Sequence, residues 1–325
     1  MQPVEIRRVG GRAAVAAERA VGLEQTPIED VLLGEVVEGL NISPGDVVVD
    51  ATVGTGGHAE AIAKRLGASG TLVAIDVDEL SLSLSRKRLS DAPGKVIYVR
   101  GNFRHLKDLV EEAGVQEADG VVFDLGWHAL QLRSGKGLSF ASDEPLLMTL
   151  ASGGEEARLT AKDIIADWDE EEIAKLIREY GEERFSGRIA RAIVTKRKEK
   201  PIETARELAE VIARSVPAFY RHGRLHPATR TFQALRIAVN DELESLKEGL
   251  EAALEILSSG GRVATITFHS LEDRIVKHAF RDAEKEGKGT RITKKPIVPG
   301  REEMKQNPRA RSAKLRIFEK HHETK

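Results

Sequence analysis

Short apolar runs alternate with helical patterns through the first 125 or so residues. "DVVVDAT" (46–52), "GTLVAIDVD" (70–78), "KVIYVRGNF" (95–103) and "GVVFDLG" (120–126) are rich in β-branched residues and predict buried strands. Between the first three lie "HAEAIAKRLG" and "LSLSLSRKRLSDAP", helical in spacing and closed by Gly or Pro. This βαβ rhythm predicts an α/β fold built on a doubly wound, Rossmann-like parallel sheet.

The rhythm breaks near Ser134. From there to about Arg224 the pattern reads as helical, until "GGRVATITFHS" (260–270) resumes the sheet. "DWDEEEIAKLIREYG" offers an N-cap at Asp167 or Asp169, acidic residues in its first turn and Gly181 as a stop. Phe185, Ile189, Ala192 and Ile193 then recur at helical spacing. One or two helices between about Arg230 and Leu257 lead back to the sheet, with "RITKKPI" and "KLRIFEK" as its last strands. The expected organisation is an N-terminal extension (1–25), a sheet domain in two pieces (26–133 and 225–325), and an inserted all-helical domain (134–224).

The glycine cluster Gly54, Thr55, Gly56, Gly57 links the first strand to its helix. Glycines there let a ligand approach the backbone at a helix N-terminus. No Lys-Ser/Thr follows, so it is not a P-loop. The glycine spacing also fits a dinucleotide cradle poorly, which leaves a tight strand-to-helix turn as the plain alternative. Asp76, closing the second strand, stands where an acidic side chain accepts the hydroxyls of a ribose. Asp50, "NF" (102–103) and "DLG" (124–126) close the other strands at the same sheet edge. Acidic groups suit a nucleoside carrying a sulfonium cation better than a pyrophosphate, so the pattern favours a methyltransferase over a nicotinamide enzyme.

Composition narrows the setting. The chain of 325 residues has 41% hydrophobic residues and no cysteine, so disulfides and thiolate chemistry are excluded. The apolar run "AAVAA" (13–17) is too short for a signal-peptide core, and no window has the roughly 18 apolar residues of a membrane span. A folded, cytosolic protein with no membrane partner is expected. Net charge is only −2, yet 13 Lys/Arg face 4 Asp/Glu between Arg184 and Arg236, and 16 face 7 between Arg274 and Lys325. Such basic regions serve a polyanion or are merely solvated helix faces.

The stretches "GLNISPGDVVVDATVGTGGHAEAI", "YGEERFSGRIARAIV", "KPIETARELAEVI", "HPATRTFQALRIAVNDEL", "GGRVATITFHSLEDRIVK" and "NPRARSAKLRIFEK" occur in order between about Val31 and Lys320. In them the chain resembles the bacterial small-subunit ribosomal RNA (cytosine-N4)-methyltransferase H family, also called MraW. The resemblance implies S-adenosylmethionine as cofactor, 16S rRNA in the small ribosomal subunit as partner, and methylation of a cytidine N4 near the decoding site. It implies cofactor contacts from Gly56, Gly57, His58, Asp76, Phe103, Asp124 and Gln131. Asp124, with the Leu125 carbonyl, is the candidate acceptor for the amine hydrogens, a cofactor-only contact being its alternative.

His269, with Ser270 and Asp273, follows a strand at the productive edge and is a second catalytic candidate. Arg230 in "HPATR", Arg309, Arg311 and Lys314 are candidate RNA contacts, with Arg316 beside them; a helix cap at Pro227 and an exposed tail are the structural alternatives. His222 and His226 have the spacing of a helical metal pair, but Gly223 and Pro227 oppose a helix there, and no metal is expected. Trp168 is expected in the core.

The sequence departs from the family at "DLGWHALQL", where Trp127, His128 and Ala129 replace a small, hydroxylated segment, at "DEPLLMTL", and at "IEDVLL" near the N-terminus. The departures keep two rivals open: an RNA-binding factor that holds the cofactor without turnover, and a methyltransferase with another acceptor. A homodimer is left open as well.

Overall fold

The computed structural model describes residues 30–126, 131–133, 135–150, 159–223 and 225–322. Through the first half of the sheet the elements run α1 (Leu33–Leu40), β1 (Val47–Asp50), α2 (Gly57–Leu66), β2 (Thr71–Asp76), α3 (Glu79–Arg88), β3 (Lys95–Arg100), α4 (Leu106–Glu112) and β4 (Ala118–Asp124). Helices follow: α5 (Ala161–Asp167), α6 (Glu170–Gly181), α7 (Ser186–Glu199), α8 (Ala205–Ser215), the short α9 (Ala218–Arg221), α10 (Thr229–Asn240) and α11 (Glu242–Ile256). The sheet is completed by β5 (Leu257–Thr267), α12 (Ser270–Lys285), β6 (Gly289–Arg291), α13 (Arg301–Gln306) and β7 (Lys314–Lys320).

The seven strands form one sheet in the order β3-β2-β1-β4-β5-β7-β6. The first five pair in parallel, and β7 runs antiparallel between β5 and β6. From β1 the chain winds outward to β2 and β3, then returns to the other side of β1 for β4 and β5. The carboxyl ends of β1 and β4 therefore flank the topological switch point, where doubly wound sheets bind ligands.

Alternation along each strand feeds two cores, one per face. Val48, Leu72, Val122 and Ile317 join the first core; their neighbours Val49, Val73, Phe123 and Phe318 join the second. Helices cover both faces, which explains why these strands read as continuous apolar runs rather than as alternating ones.

A third core gathers residues from Leu146 to Leu235. Three of its helices begin in capping boxes, at Thr160, Asp169 and Thr204, each satisfying backbone donors at the helix start. Asp169, not Asp167, caps α6. The helix ends because Glu182 turns left-handed, and Gly181 is bare for packing, since a Cβ there would lie 2.6 Å from the Arg230 carbonyl oxygen. Helix α10, expected to lead back toward the sheet, contributes Phe232, Ala234 and Leu235 to this third core.

Two expectations need correction. Residues 135–150 form turns rather than helix: Gly135, Gly137 and Met148 have positive φ, and Pro145 pairs in an isolated bridge with Thr204. The "RITKKPI" strand is cut to Gly289–Arg291; Ile292 and Thr293 both donate to the single Ile317 carbonyl, which breaks the ladder, and a bridge forms again at Ile297–Leu315. Trp168 is half-buried and packs against the third core. No helix among the described residues is long and apolar enough to cross a membrane.

Candidate active site

A cleft of about 1710 Å³ opens at the carboxyl ends of β1, β2, β4 and β5. One wall is the strand ends and the glycine loop, with Asp76, Phe103 and Asp124; the other is helical and aromatic, with Phe140, Phe232, Gln233 and Asn240. Pockets for one drug-sized molecule usually hold ~300–1,000 Å³, so this cleft has room for two ligands side by side.

The loop glycines first serve the backbone. Gly54 and Gly56 have φ of +51° and +87°, which most L residues avoid. The Gly54 amide donates to Asp76 at 2.9 Å and the Gly56 amide to the Val53 carbonyl at 2.8 Å. Two of the loop's amides are thus spent internally. Gly57 is bare for a different reason: a Cβ there would lie 1.8 Å from the carboxyl group of Asp30. Asp30, in the stretch "IEDVLL" that departs from the family, lines the cleft and pairs with Arg88 at 3.3 Å. Its place against Gly57 has no signature in the sequence, because the two residues meet only through the fold.

Helix α2 then carries His58 into the floor. Its Nε2 lies 3.0 Å from the Val31 carbonyl, which can only accept, so that nitrogen bears the hydrogen. Nδ1 thereby faces Asp124 Oδ2 at 3.6 Å.

Asp50 and Asp124 both act on this histidine, and Asp76 closes the neighbouring strand. Burial pushes Asp50 up to about 7, with His58 opposing the shift. Burial also raises Asp124 to about 6, against the pull of His58 and with a further push from Asp30 and Glu272. Asp76 is raised to about 6 by burial, although it accepts from the amides of Asp78 and Gly54 at 2.9 Å each. Burying three acids together disfavours their charged forms, and a cationic ligand would reverse that. Asp124 Oδ1 is buried without a hydrogen-bond partner, an acceptor left for a ligand's donor. The residues therefore fit a sulfonium-bearing nucleoside: carboxylates for the cation, and on each Asp76 oxygen a second lone pair for ribose hydroxyls.

Phe103 lies in the turn after β3, edge-on to Phe123 with centroids 5.6 Å apart. Its position depends on Gly249 of α11, where a Cβ would meet the ring at 2.8 Å. Gln131 is buried and lines the same cleft. Gly56, Gly57, His58, Asp76, Phe103, Asp124 and Gln131 thus gather at one end of the molecule, Gly56 through its turn rather than as part of the lining. Trp127, His128 and Ala129 lie outside the described residues.

The remaining candidates divide. His269 lines the cleft but also caps α12: its Nδ1 accepts from the Glu272 amide at 3.3 Å and its Nε2 lies 3.1 Å from Glu272 Oε1. Arg309 lines the cleft near Asp124, and Arg311 is exposed. Lys314 and Arg316 both pair with Asp273, at 2.9 and 2.7 Å, and Arg316 is buried while Lys314 stays partly exposed. Arg230 reaches back to the Glu182 carbonyl at 3.0 Å, in a bracing role. His226 stacks flat on Phe140 at 4.4 Å, away from any pairing with His222.

Sequence reasoning also missed a buried polar knot at the cleft. Glu242, His269 and Glu272 hold ligand atoms within 4.8 Å of one another. Arg236, 3% exposed, supplies the positive charge there, its guanidinium spanning both Glu242 oxygens at 2.7 and 2.8 Å.

Residues 26–321 match the MraW methylase family. The ribosomal RNA small subunit methyltransferase H of Brevibacillus brevis is 49% identical over 306 residues, covering 89% of this chain and 96% of the relative. The protein of the same name from a Paenibacillus species is 44% identical over 312 residues, covering 89% and 98%. A match over nearly the whole length of both chains, together with the acidic strand-end cleft, shows that the chain belongs to the MraW methylase family of S-adenosylmethionine-dependent methyltransferases.

Proposed function

We propose that the chain transfers a methyl group from S-adenosylmethionine to the exocyclic N4 of a cytidine in small-subunit ribosomal RNA, near the decoding site. The observation that carries this reading is Asp124, which lines the cleft and whose buried Oδ1 has no hydrogen-bond partner. The similarity to ribosomal RNA small subunit methyltransferases H supports the RNA and the subunit.

The cofactor supplies an electrophilic methyl on a cationic sulfur. Asp76 would take the ribose hydroxyls, Phe103 would lie beside the adenine, and Gly57, His58 and Gln131 would line the remainder. The cytosine amine is a weak nucleophile, because its lone pair is delocalised into the ring. It must be unstacked, held in line, and relieved of a proton. In this reading the aromatic wall of Phe140 and Phe232 receives the extruded base. Asp124 Oδ1 accepts an N4 hydrogen, which lets the nitrogen pyramidalise as the bond to the methyl carbon forms and the bond to sulfur breaks. The proton released from nitrogen passes to the Asp124 carboxylate, with His58 Nδ1 at 3.6 Å on its other oxygen. His269 orders the edge of the site through Glu272.

The test is incubation with labelled S-adenosylmethionine and small subunits lacking native modification, followed by nucleoside analysis of the RNA. N4-methylcytidine is the expected product. Cofactor binding without transfer would select the RNA-binding factor, and label on protein or a small molecule would select another acceptor.

A further inference from the structure

We propose that the start of α7, together with Phe219 of α9, is a docking groove for an unpaired stretch of the RNA substrate, with its backbone on Arg184 and Arg188 and one base against Phe219. The proposal rests on the RNA reading above and locates the strand outside the cleft.

The groove encloses about 300 Å³ and is lined by Arg184, Phe185, Gly187, Arg188 and Arg191. Arg188 and Arg191, three apart, share one face of α7, and Arg184 in the turn before the helix lines the same groove. Gly187 gives the groove a bare floor, with nothing within 4 Å of where its Cβ would stand. The Arg184 guanidinium lies over three rings: Phe185 at 4.8 Å, Tyr220 at 5.0 Å and Phe219 at 5.5 Å. Tyr220 is itself anchored, its hydroxyl donating to the buried Glu183. Arg191 is paired with Glu170, whereas Arg184 and Arg188 have no ion pair among the described residues. Ring contacts thus fix Arg184 without neutralising it.

Phe219 remains 69% exposed beside this cage, a large apolar face that folding alone does not explain. An acidic peptide would use the arginines and leave that face empty. A single-stranded nucleic acid satisfies both, because phosphate meets guanidinium while a base stacks on the ring; bases in a duplex are not free to do so. The location agrees. Glu182, two residues before Arg184 and so at most about 7 Å away along the chain, binds Ser270 and Arg274 of α12. Ser270 follows His269, which lines the cleft, so the groove lies beside the cleft mouth.

The experiment is fluorescence anisotropy of a labelled, unpaired cytidine-containing oligoribonucleotide, titrated at several salt concentrations, with methyl transfer to small subunits measured in parallel. Arg184→Glu with Arg188→Glu is expected to weaken binding at least about tenfold and lower the log–log salt slope by about 1.4, from two phosphate contacts at about 0.7 each. Phe219→Ala is expected to weaken it about tenfold with the slope unchanged. Gly187→Trp keeps every charge and fills the groove, so it is expected to weaken binding while the melting temperature holds. All three should raise KM for subunits by a similar factor, with kcat within about twofold.

Wild-type binding by the charge-reversal and Gly187→Trp variants would overturn the proposal. So would a loss seen on assembled subunits but not on naked RNA, which would make the occupant an acidic protein segment. Wild-type protein that binds the oligonucleotide through this groove but transfers no methyl would support the groove and overturn the transfer reading, so the two failures are distinguishable.

Discussion

Asp50, Asp76 and Asp124 would be unremarkable carboxylates in water; burial raises all three, and in the proposed reading a cationic ligand draws them back to their charged forms. Held near 7, 6 and 6, they keep protons at a pH where the unfolded chain, with acids near 3.8, has lost them. The ligand-free fold therefore loses stability as pH rises from about 4 to 7, and a ligand with net positive charge should recover it. S-adenosylmethionine binding is expected to tighten between about pH 5.5 and 7.5 and to release protons, read by calorimetry in buffers of different ionisation enthalpy. The neutral thioether product should show a weaker pH dependence. Equal dependence for both ligands would show that these acids do not sense the sulfonium. At this scale Asp76 and Asp124 were legible in the sequence, because an acidic residue closing a β-type run marks the sheet edge. Asp30 was not, since its role is set by contact with Gly57, nor was the engagement of Lys314 and Arg316 by Asp273.

Elements set the tolerances around those residues. Helix α11 approaches the turn at Phe103 so closely that Gly249→Val is expected to displace the ring and raise the cofactor Kd severalfold, at a stability cost of about 1–3 kcal/mol. Retained affinity would mean that Phe103 does not contact the cofactor. At the junction of α10 and α11, Arg236→Ala would leave Glu242 and Glu272 without their shared cation, and a loss of about 3–5 kcal/mol is expected in thermal or denaturant unfolding. By contrast, Asp169→Ala removes one cap of an exposed helix start and should cost about 1 kcal/mol with activity retained. The α6 start was narrowed only to Asp167 or Asp169, both of which precede the same acidic run, whereas the strands were readable because β-branched runs are local signals. The non-helical stretch 135–150 was not, because its turns are stabilised by pairing with Thr204 and other distant residues.

For the whole molecule, the parallel sheet supplies an acidic wall of the cleft, with Asp124 on it, and the helical core an aromatic one. The order of strands came from the fold, whereas the doubly wound parallel sheet and the cleft at its carboxyl edge followed from the sequence rhythm. The arginine–aromatic cage did not, because Arg184 and Phe219 are 35 positions apart and meet only when α9 folds beside α7. The most direct measurement is single-turnover methyl transfer to unmodified small subunits by the wild type and by Asp124→Asn, with N4-methylcytidine quantified by nucleoside mass analysis at saturating cofactor. A carboxylate that takes the amine proton predicts a fall of about 10²–10⁴-fold in the transfer rate for the variant, with the cofactor still bound. An undiminished rate of N4-methylcytidine formation, or no such product from the wild type, would contradict it.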